Sequence, residues 1–428
     1  MRHTQRATWI AGLLLPLFCA LNAPAATLGE AVSAALAHHP DLAAAEAQRE
    51  AADASVSAAR SAYWPRLGAT YERARAKNEL SGVADAQPTR QADVYLRWNV
   101  WSGLGDHYSV AAASHDLDAA RGQVEGTRER AALQVVRIYL DILNLNQQVS
   151  ETENLLHDLS SLRALVAVRV ENGRSPQADL LQADSRLLQA QGQLLSLRAQ
   201  LAGRRASFQR LTGLAPQNLL SPEFDGSTAQ RPLDELIAAA RDNNADLRAA
   251  REQAESAASR VGVARRELMP EVNVEARKNV QRDGPIQLQS GLERETLVQV
   301  TYEVALGGGG LHRVSAARAR ELGARANAEA LELRLSMSVG EQVEQLRGQR
   351  ALSVELHKQW AKLGETYRAF VMQFDAGRRT LLDALDLRQE QHNIGMRVTD
   401  NMTDIAYGSA QLEQMLGRLL KVLGIRDI

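Results

Sequence analysis

Side chains able to do chemistry are scattered through this chain, and they do not converge. Nine histidines are spread over 428 residues, His38 and His39 are the only adjacent pair, and no His-Glu-x-x-His or comparable ligand spacing occurs. The single cysteine, Cys19, falls in the apolar N-terminal segment. The run Gly307 to Gly310 invites a phosphate-cradling loop, but no Gly-Lys-Ser or Gly-Lys-Thr follows. The matching place earlier in the chain reads Gly103-Leu104-Gly105, so both stretches predict a strand-to-helix junction. With no nucleophile, base or ligand set assembled, the sequence argues against an enzyme and predicts no cofactor and no metal site. Asp383 and Asp386 stand three apart, which on a helix puts both carboxylates on one face. Taken alone they read as a solvated face of a charged helix.

Composition narrows the class. Hydrophobic residues make up 45% of the chain but aromatics only 4%, so the apolar inventory is mostly Ala and Leu, with 24% charged residues between them. That is the composition of long packed helices. Fifty Lys plus Arg balance 51 Asp plus Glu, and the basic stripe that a nucleic-acid binder needs is missing. Residues 1–25 read as a secretory signal: Arg2 and Arg6, an apolar stretch from Ala7 to Leu21, then Ala23-Pro24-Ala25 for cleavage. Maturation is expected near Ala26. Leu17-Phe18 before Cys19 is not a lipoprotein context, so no lipid is expected and the mature chain has no thiol.

A tandem duplication organises the rest. Shifting the sequence by 205 positions aligns Leu28 to Pro65 with Leu233 to Pro270 without a gap, and fifteen of the 38 pairs are identical. At a shift of 204 the match resumes, pairing Val94 with Val298, Gly103 with Gly307, Gly173 with Gly377 and Asp179 with Asp383. The period is far too long for a solenoid unit of about 20–50 residues. The predicted organisation is a first repeat over 26–213, a linker rich in Pro, Ser, Asn and Gly over 214–232, and a second repeat over 233–428.

Each half follows one plan. A helix of about 35 residues is expected to stop at Pro65 and again at Pro270. The pattern then changes to period two: Val94, Leu96, Trp98 and Val100 alternate with polar or aromatic neighbours, as do Val298, Val300, Tyr302, Val304 and Leu306. Together with weaker alternation after each proline, this predicts a β-hairpin per half. Tyr63-Trp64 reads equally as core or as an interfacial girdle. From His107 to Val170 no proline occurs and apolar residues recur at three and four, giving a helix of roughly 95 Å at about 1.5 Å per residue. After a turn at Asn172-Gly173, Leu180, Leu187, Leu194, Leu201 and Phe208 recur every seven residues with Leu181, Leu188 and Leu195 beside them, a coiled-coil seam. The second half runs likewise from His312 to Ala376, turns at Gly377, and returns to about Gly424.

Four strands per chain are too few to close a barrel, and an open edge cannot be satisfied in a membrane. Three chains supply twelve strands, and ten residues over 92–101 match the roughly 9–11 that a tilted strand needs to cross a bilayer. The fold class predicted is therefore an α+β membrane protein: a tandem-repeat protomer of long coiled-coil helices plus two β-hairpins. Three copies are expected to bring twelve strands together and to set the long helices side by side as a hollow cylinder roughly 100 Å deep.

The duplication, the helix-ending prolines, the strand-to-helix glycines and two turn sequences carry a resemblance over the whole mature chain. The turns are Glu171-Asn172-Gly173 to Asp179 and Phe374-Asp375-Ala376-Gly377-Arg378-Arg379-Thr380-Leu381-Leu382-Asp383-Ala384-Leu385-Asp386. In these features the chain resembles the outer-membrane efflux protein family, the TolC-like channels of Gram-negative bacteria. The resemblance implies a homotrimer with a 12-stranded β-barrel in the outer membrane, in contact with its lipid, on a periplasmic α-helical barrel, docked to a periplasmic adaptor protein and an inner-membrane pump. It implies that Gly173 and Gly377 mark the adaptor-docking tips, that Asp383 and Asp386 form aspartate rings at the pore constriction, and that Arg379 and Asp179 form a tip latch. Phe374 stands where related channels often carry Tyr, which removes a hydroxyl bond toward Asp179; the latch is then expected either to be weaker or to be held by Arg174, Arg378 and Arg379 instead. The implied function is a passive exit duct of a tripartite exporter. The missing lipidation cysteine and the Arg378-Arg379-Thr380-Leu381-Leu382-Asp383 wording resemble type I protein secretion channels. Multidrug or small-molecule efflux is the alternative, and a soluble periplasmic coiled-coil scaffold is an alternative of another class.

Overall fold

The computed structural model describes residues 27–78, 83–224, 226–283, 294–303 and 306–425. The expected signal segment with Cys19 lies outside them, as do Val304 and Ala305 of the predicted last strand. The first half contains α1 (Leu28–Leu36), α2 (Pro40–Arg60), β1 (Arg66–Asn78), β2 (Val83–Trp101), α3 (Gly105–Glu171) and α4 (Gln177–Thr212). The second repeats the plan with α5 (Leu233–Asn243), α6 (Ala245–Arg265), β3 (Glu271–Asp283), β4 (Arg294–Thr301), α7 (Gly309–Asp375) and α8 (Leu381–Met415), then a short α9 (Leu419–Val422). α3 and α7 have 67 residues each, about 100 Å of uninterrupted helix. Among the described residues no helix is long and apolar enough to cross a membrane.

Where one helix of about 35 residues is predicted before each proline, the structure has two. Pro40 sits at the first position of α2, where its missing N–H costs nothing, and His39 caps that helix through the Asp41 N–H. In the second copy Asn244 does the same work, its Oδ1 accepting from the Leu247 N–H at 3.0 Å. The return helix of the second half also ends early, at Met415 rather than near Gly424. Gly417 takes a left-handed φ of 64°, and a Cβ there would come within 2.4 Å of the Asn243 carbonyl oxygen.

Pro65 and Pro270 terminate their helices as expected. Each follows a single 3-10 turn, Ser61–Tyr63 or Arg266–Leu268, and an extended residue, Trp64 or Met269. The ring of a proline pushes the residue before it out of the helical region. The chain enters β1 and β3 directly afterwards, and the hairpins β1–β2 and β3–β4 join side by side into one antiparallel sheet of order β1-β2-β3-β4. At the other end of each hairpin, left-handed Gly103 and Leu104 precede α3, and left-handed Gly308 precedes α7. The glycine runs are therefore strand-to-helix junctions.

Register assigns the sheet's two faces. Leu67 pairs with Leu96, Ala69 with Val94, Trp98 with Val274, Val274 with Val298 and Val272 with Val300, so one face is an aliphatic and aromatic belt that is mostly exposed. The other face carries Asp93, Arg97, Asn99, Asn273, Glu275 and Arg277, with Arg97 Nε donating to Glu275 at 2.7 Å. Tyr63 and Trp64 are exposed, Trp64 at 73%, at the base of this sheet rather than in a core.

The largest core lies midway along the helices, where α1, α3, α4 and α9 meet around Tyr139, Phe208, Ile142, Val32 and Leu419. The Tyr139 hydroxyl donates to the Leu220 carbonyl at 2.7 Å, tying the connector to α3. Along α4 the predicted seam is buried at Leu194, Leu201 and Phe208, whereas Leu181, Leu188 and Leu195 are each more than 60% exposed.

Glu129 of α3 is buried in this midsection against the start of α9, close to Glu413 and Glu125. Burial pushes its carboxyl up to about 7 against the pull of the Leu420 and Leu419 N–H groups. The folded chain thus keeps a proton that the unfolded chain releases near 4.5, and stability falls as pH rises from about 4.5 through 7. Glu129→Gln is expected to melt higher than wild type at pH 8, with the gap closing toward pH 5. A gap independent of pH would contradict a buried proton at Glu129.

Candidate functional site: the paired helix turns

The two longest helices end in the same turn. Gly173 and Gly377 follow their caps Asn172 and Ala376 with φ of 68° and 71°. The Arg174 N–H then bonds the Arg169 carbonyl and the Arg378 N–H bonds the Gln373 carbonyl, each at 2.8 Å. This is the Schellman closure, in which a left-handed glycine lets the chain satisfy the last helical carbonyls. Nothing lies within 4 Å of a Cβ built at Gly173, so backbone conformation, not space, requires glycine there. Arg174 and Arg378 enter these turns through their backbones.

One side chain that the sequence did not single out joins the two tips. Arg169, in the last turn of α3, lays its guanidinium over the Phe374 ring at 4.7 Å. Its Nη1 also donates to the carbonyl oxygens of Phe374 at 2.7 Å and Asp375 at 3.2 Å. These are carbonyls at the C-terminal end of α7, where the helix dipole favours a cation. Phe374 is 3% exposed and packs with Leu155, Leu159, Leu162, Val166 and Leu381. The ring is core, and the polar link across the tip runs through its backbone, out of reach of any residue-type change at that position.

Arg379 finds its partners on its own coil: the Phe370 ring at 4.5 Å, Gln373 Oε1 at 3.4 Å and Asp383 at 4.0 Å. Asp179 lies in the first turn of α4, its backbone N–H bonded to Pro176 O. Among the described residues no ion pair joins it to Arg379 within one protomer. Asp383 belongs to a capping box: its N–H bonds Thr380 Oγ1, and its carboxylate accepts from the Thr380 hydroxyl and N–H. Those bonds, with Arg379 nearby, hold the carboxyl below its usual range. Asp386, three residues on, accepts from Arg186 of α4 at 2.8 Å.

Above the turns a ladder of polar pairs binds α8 to the first coiled coil. Arg388 Nε donates to Asp158 of α3 at 2.7 Å with its own side chain only 7% exposed. Within the first coiled coil itself, Arg163 of α3 pairs with Asp184 of α4 at 2.7 Å. His392 is fully enclosed opposite Gln193, and burial, with Arg388 adding, lowers it to about 4, so the ring is neutral. No group of His, Asp and Glu among the described residues could hold a metal ion. The paired turns are held by carbonyl contacts, ion pairs and apolar packing.

Loss of one charge-assisted hydrogen bond from Arg169 removes about 1.5–3 kcal/mol and shifts the tip toward a splayed arrangement roughly tenfold or more. Arg169→Met is expected to raise amide exchange over residues 370–380 by about that factor while the midsection around Tyr139 stays protected. Unchanged exchange at the tip would make Arg169 an ordinary surface residue.

With this geometry in view, the relatives are informative. The family model described as "Outer membrane efflux protein" matches residues 31–214 and 236–418, one match per repeat. The chain is 21% identical over 369 residues to outer membrane efflux protein BepC of Brucella suis, covering 86% of this chain and 80% of that protein. It is 24% identical over 337 residues to protein CyaE of Bordetella pertussis, covering 77% and 71%. The fold is similar to that of the CmeC outer membrane channel of Campylobacter jejuni, with a TM-score of 0.77 at 16% identity over 92% of this chain and 86% of that one. Channels of this family are trimers that work with a periplasmic adaptor and an inner-membrane pump. The chain belongs to the outer membrane efflux protein family: it is a transport protein of the outer membrane that reaches into the periplasm, and not an enzyme.

Proposed function

We propose that three copies of this chain close a twelve-stranded barrel and form the passive exit duct of a tripartite exporter, most specifically one for type I protein secretion. The observation that carries the reading is the sheet of order β1-β2-β3-β4, whose outer strands β1 and β4 each leave a backbone edge open. In hydrocarbon every unpaired N–H or C=O costs several kcal/mol, and closure by neighbouring chains removes both edges at once. The exposed stripe Leu181, Leu188 and Leu195 supports the same assembly, because a heptad-spaced apolar stripe on a long helix is suited to a neighbouring helix. A soluble scaffold would leave both that stripe and the sheet's aliphatic belt in water.

In this reading Gly173 and Gly377 are the adaptor-docking tips, and Asp383 and Asp386 are rings of three carboxylates at the constriction. The tip latch pairs Arg379 with Asp179 between coils or between chains. The capping box leaves Asp383 ionised, and each carboxylate has an arginine beside it, Arg379 at 4.0 Å from Asp383 and Arg186 at 2.8 Å from Asp386. Low-dielectric walls focus such charge, and a multivalent cation that touches several carboxylates plugs the mouth. In planar bilayers a trivalent cation on the periplasmic side is expected to block wild type. Asp383→Asn with Asp386→Asn is expected to remain trimeric, to lose the block and to lower cation preference. Equal block of both proteins would remove the ring assignment.

Type I secretion rests on the Arg378-Arg379-Thr380-Leu381-Leu382-Asp383 wording and the absence of a lipidation context at Cys19. Deleting the channel in its host is expected to abolish export of a large unfolded polypeptide and to leave accumulation of small dyes little changed. The opposite pattern would assign the duct to small-molecule efflux.

A further inference from the structure

The sheet's outward face changes character along its length. Nearest the helices it is apolar, through the rows Val272–Val300, Trp98–Val274–Val298 and Leu67–Leu96. Further out the same face carries Lys278 opposite Arg294, then Arg73 opposite Arg90, with Arg75 on the next row. All five are exposed. The first cationic row lies level with Val94, and the second lies four residues further along β2, about 13 Å at roughly 3.3 Å per residue.

Two like-charge pairs directly across strands destabilise a sheet unless something anionic sits between them. Among the described side chains, which exclude those of residues 76–89 and 281–293, no carboxylate lies within ion-pair distance of any of the five. The one acidic register partner there is Asp283, opposite Arg90. The inner face is different: Arg97 and Arg277 are both matched to Glu275. Lys278 and Arg294 share the last row of the belt with Ala69 and Val94, and Arg73, Arg75 and Arg90 lie beyond it. Cations on the lipid face are costly at mid-membrane and tolerated near the interface, so this band marks the outer margin of the belt, toward head-group depth.

We propose that Arg73, Arg75, Arg90, Lys278 and Arg294 form a binding surface for the phosphate groups of outer-leaflet lipid. Arginine forks match phosphate oxygens in pairs, and a phosphate between Arg73 and Arg90 turns a repulsive row into a bridged one. The proposal rests on the barrel reading above, which makes this face the lipid-facing one and puts the end remote from the helices at the outer leaflet. A ring of three such clusters then encircles the barrel rim.

The test uses the purified trimer in phosphatidylcholine vesicles doped with bis-phosphorylated lipid A or with its dephosphorylated form. Lipid retained after gel filtration in detergent is counted by mass spectrometry. Wild type is expected to retain the phosphorylated form about fivefold or more over the dephosphorylated one, as additive basic contacts to anionic head groups require. Arg73→Gln/Arg90→Gln and Lys278→Gln/Arg294→Gln are each expected to reduce that preference, and Arg73→Lys/Arg90→Lys to keep most of it. Equal retention of both lipids by wild type, or wild-type preference in both Gln variants, would overturn the proposal. So would displacement of lipid A by inorganic phosphate alone, which would make the surface a free-anion site. Planar-bilayer conductance of the same preparations separates the two readings: conducting trimers without lipid preference end the lipid proposal only, and a lack of conducting trimers ends the barrel reading.

Discussion

A strand at the edge of a sheet leaves a row of backbone N–H and C=O groups unpaired, and hydrocarbon offers them nothing. Each chain here brings four strands, a belt of exposed aliphatic side chains and two such edges. Every larger feature is consistent with resolving that problem by copies. The hairpins come from different repeats yet join at β2 and β3, so the chain presents one β1 edge and one β4 edge, complementary ends from which a ring of copies can be built. The helices carry the same logic below the membrane. Their internal seam is buried at Leu194, Leu201 and Phe208, while the Leu181, Leu188 and Leu195 stripe is left for a neighbour.

Length and closure are handled by different chemistry. The 67-residue helices need only propensity and periodic burial to persist, and they stop where a left-handed glycine becomes available. At that end an apolar cluster of Phe374, Leu381 and Leu385 against Leu155, Leu159, Leu162 and Val166 is joined by arginines that cross between the coils: Arg169 on the α7 carbonyls, Arg186 on Asp386 and Arg388 on Asp158. Such links are directional and can break one at a time, whereas the apolar midsection around Tyr139 and Phe208 is a single packed unit. In the function proposed above, the tip is the part that opens and the midsection the part that stays fixed.

Much of this was legible in the sequence because it depends on local backbone chemistry. Pro65 and Pro270 stop helices, Gly173 and Gly377 take positive φ, and period-two runs become strands whatever surrounds them. The breaks at Pro40 and Asn244 had local signals too, but the 3.6-residue pattern continues across them and hides the cap. The cross-tip contacts were not legible. Arg169 and Phe374 are 205 positions apart, Arg186 and Asp386 are 200, and Arg388 and Asp158 are 230. Only the folded register of two coiled coils brings such pairs together, and a charged residue on a charged helix gives no sign of its distant partner. Aspartates at helical spacing likewise do not reveal that one caps a helix and the other meets an arginine.

In the assembly proposed above, the sheet of one chain is one third of a barrel. Mass measurement of the purified protein in detergent, with the bound detergent subtracted, tests it most directly. A particle of three chains is expected, and no membrane-inserted species of one. A stable, inserted monomer would mean that four strands satisfy their own edges, and would contradict the assembly from which the pore, the tip and the lipid-facing rim are all argued.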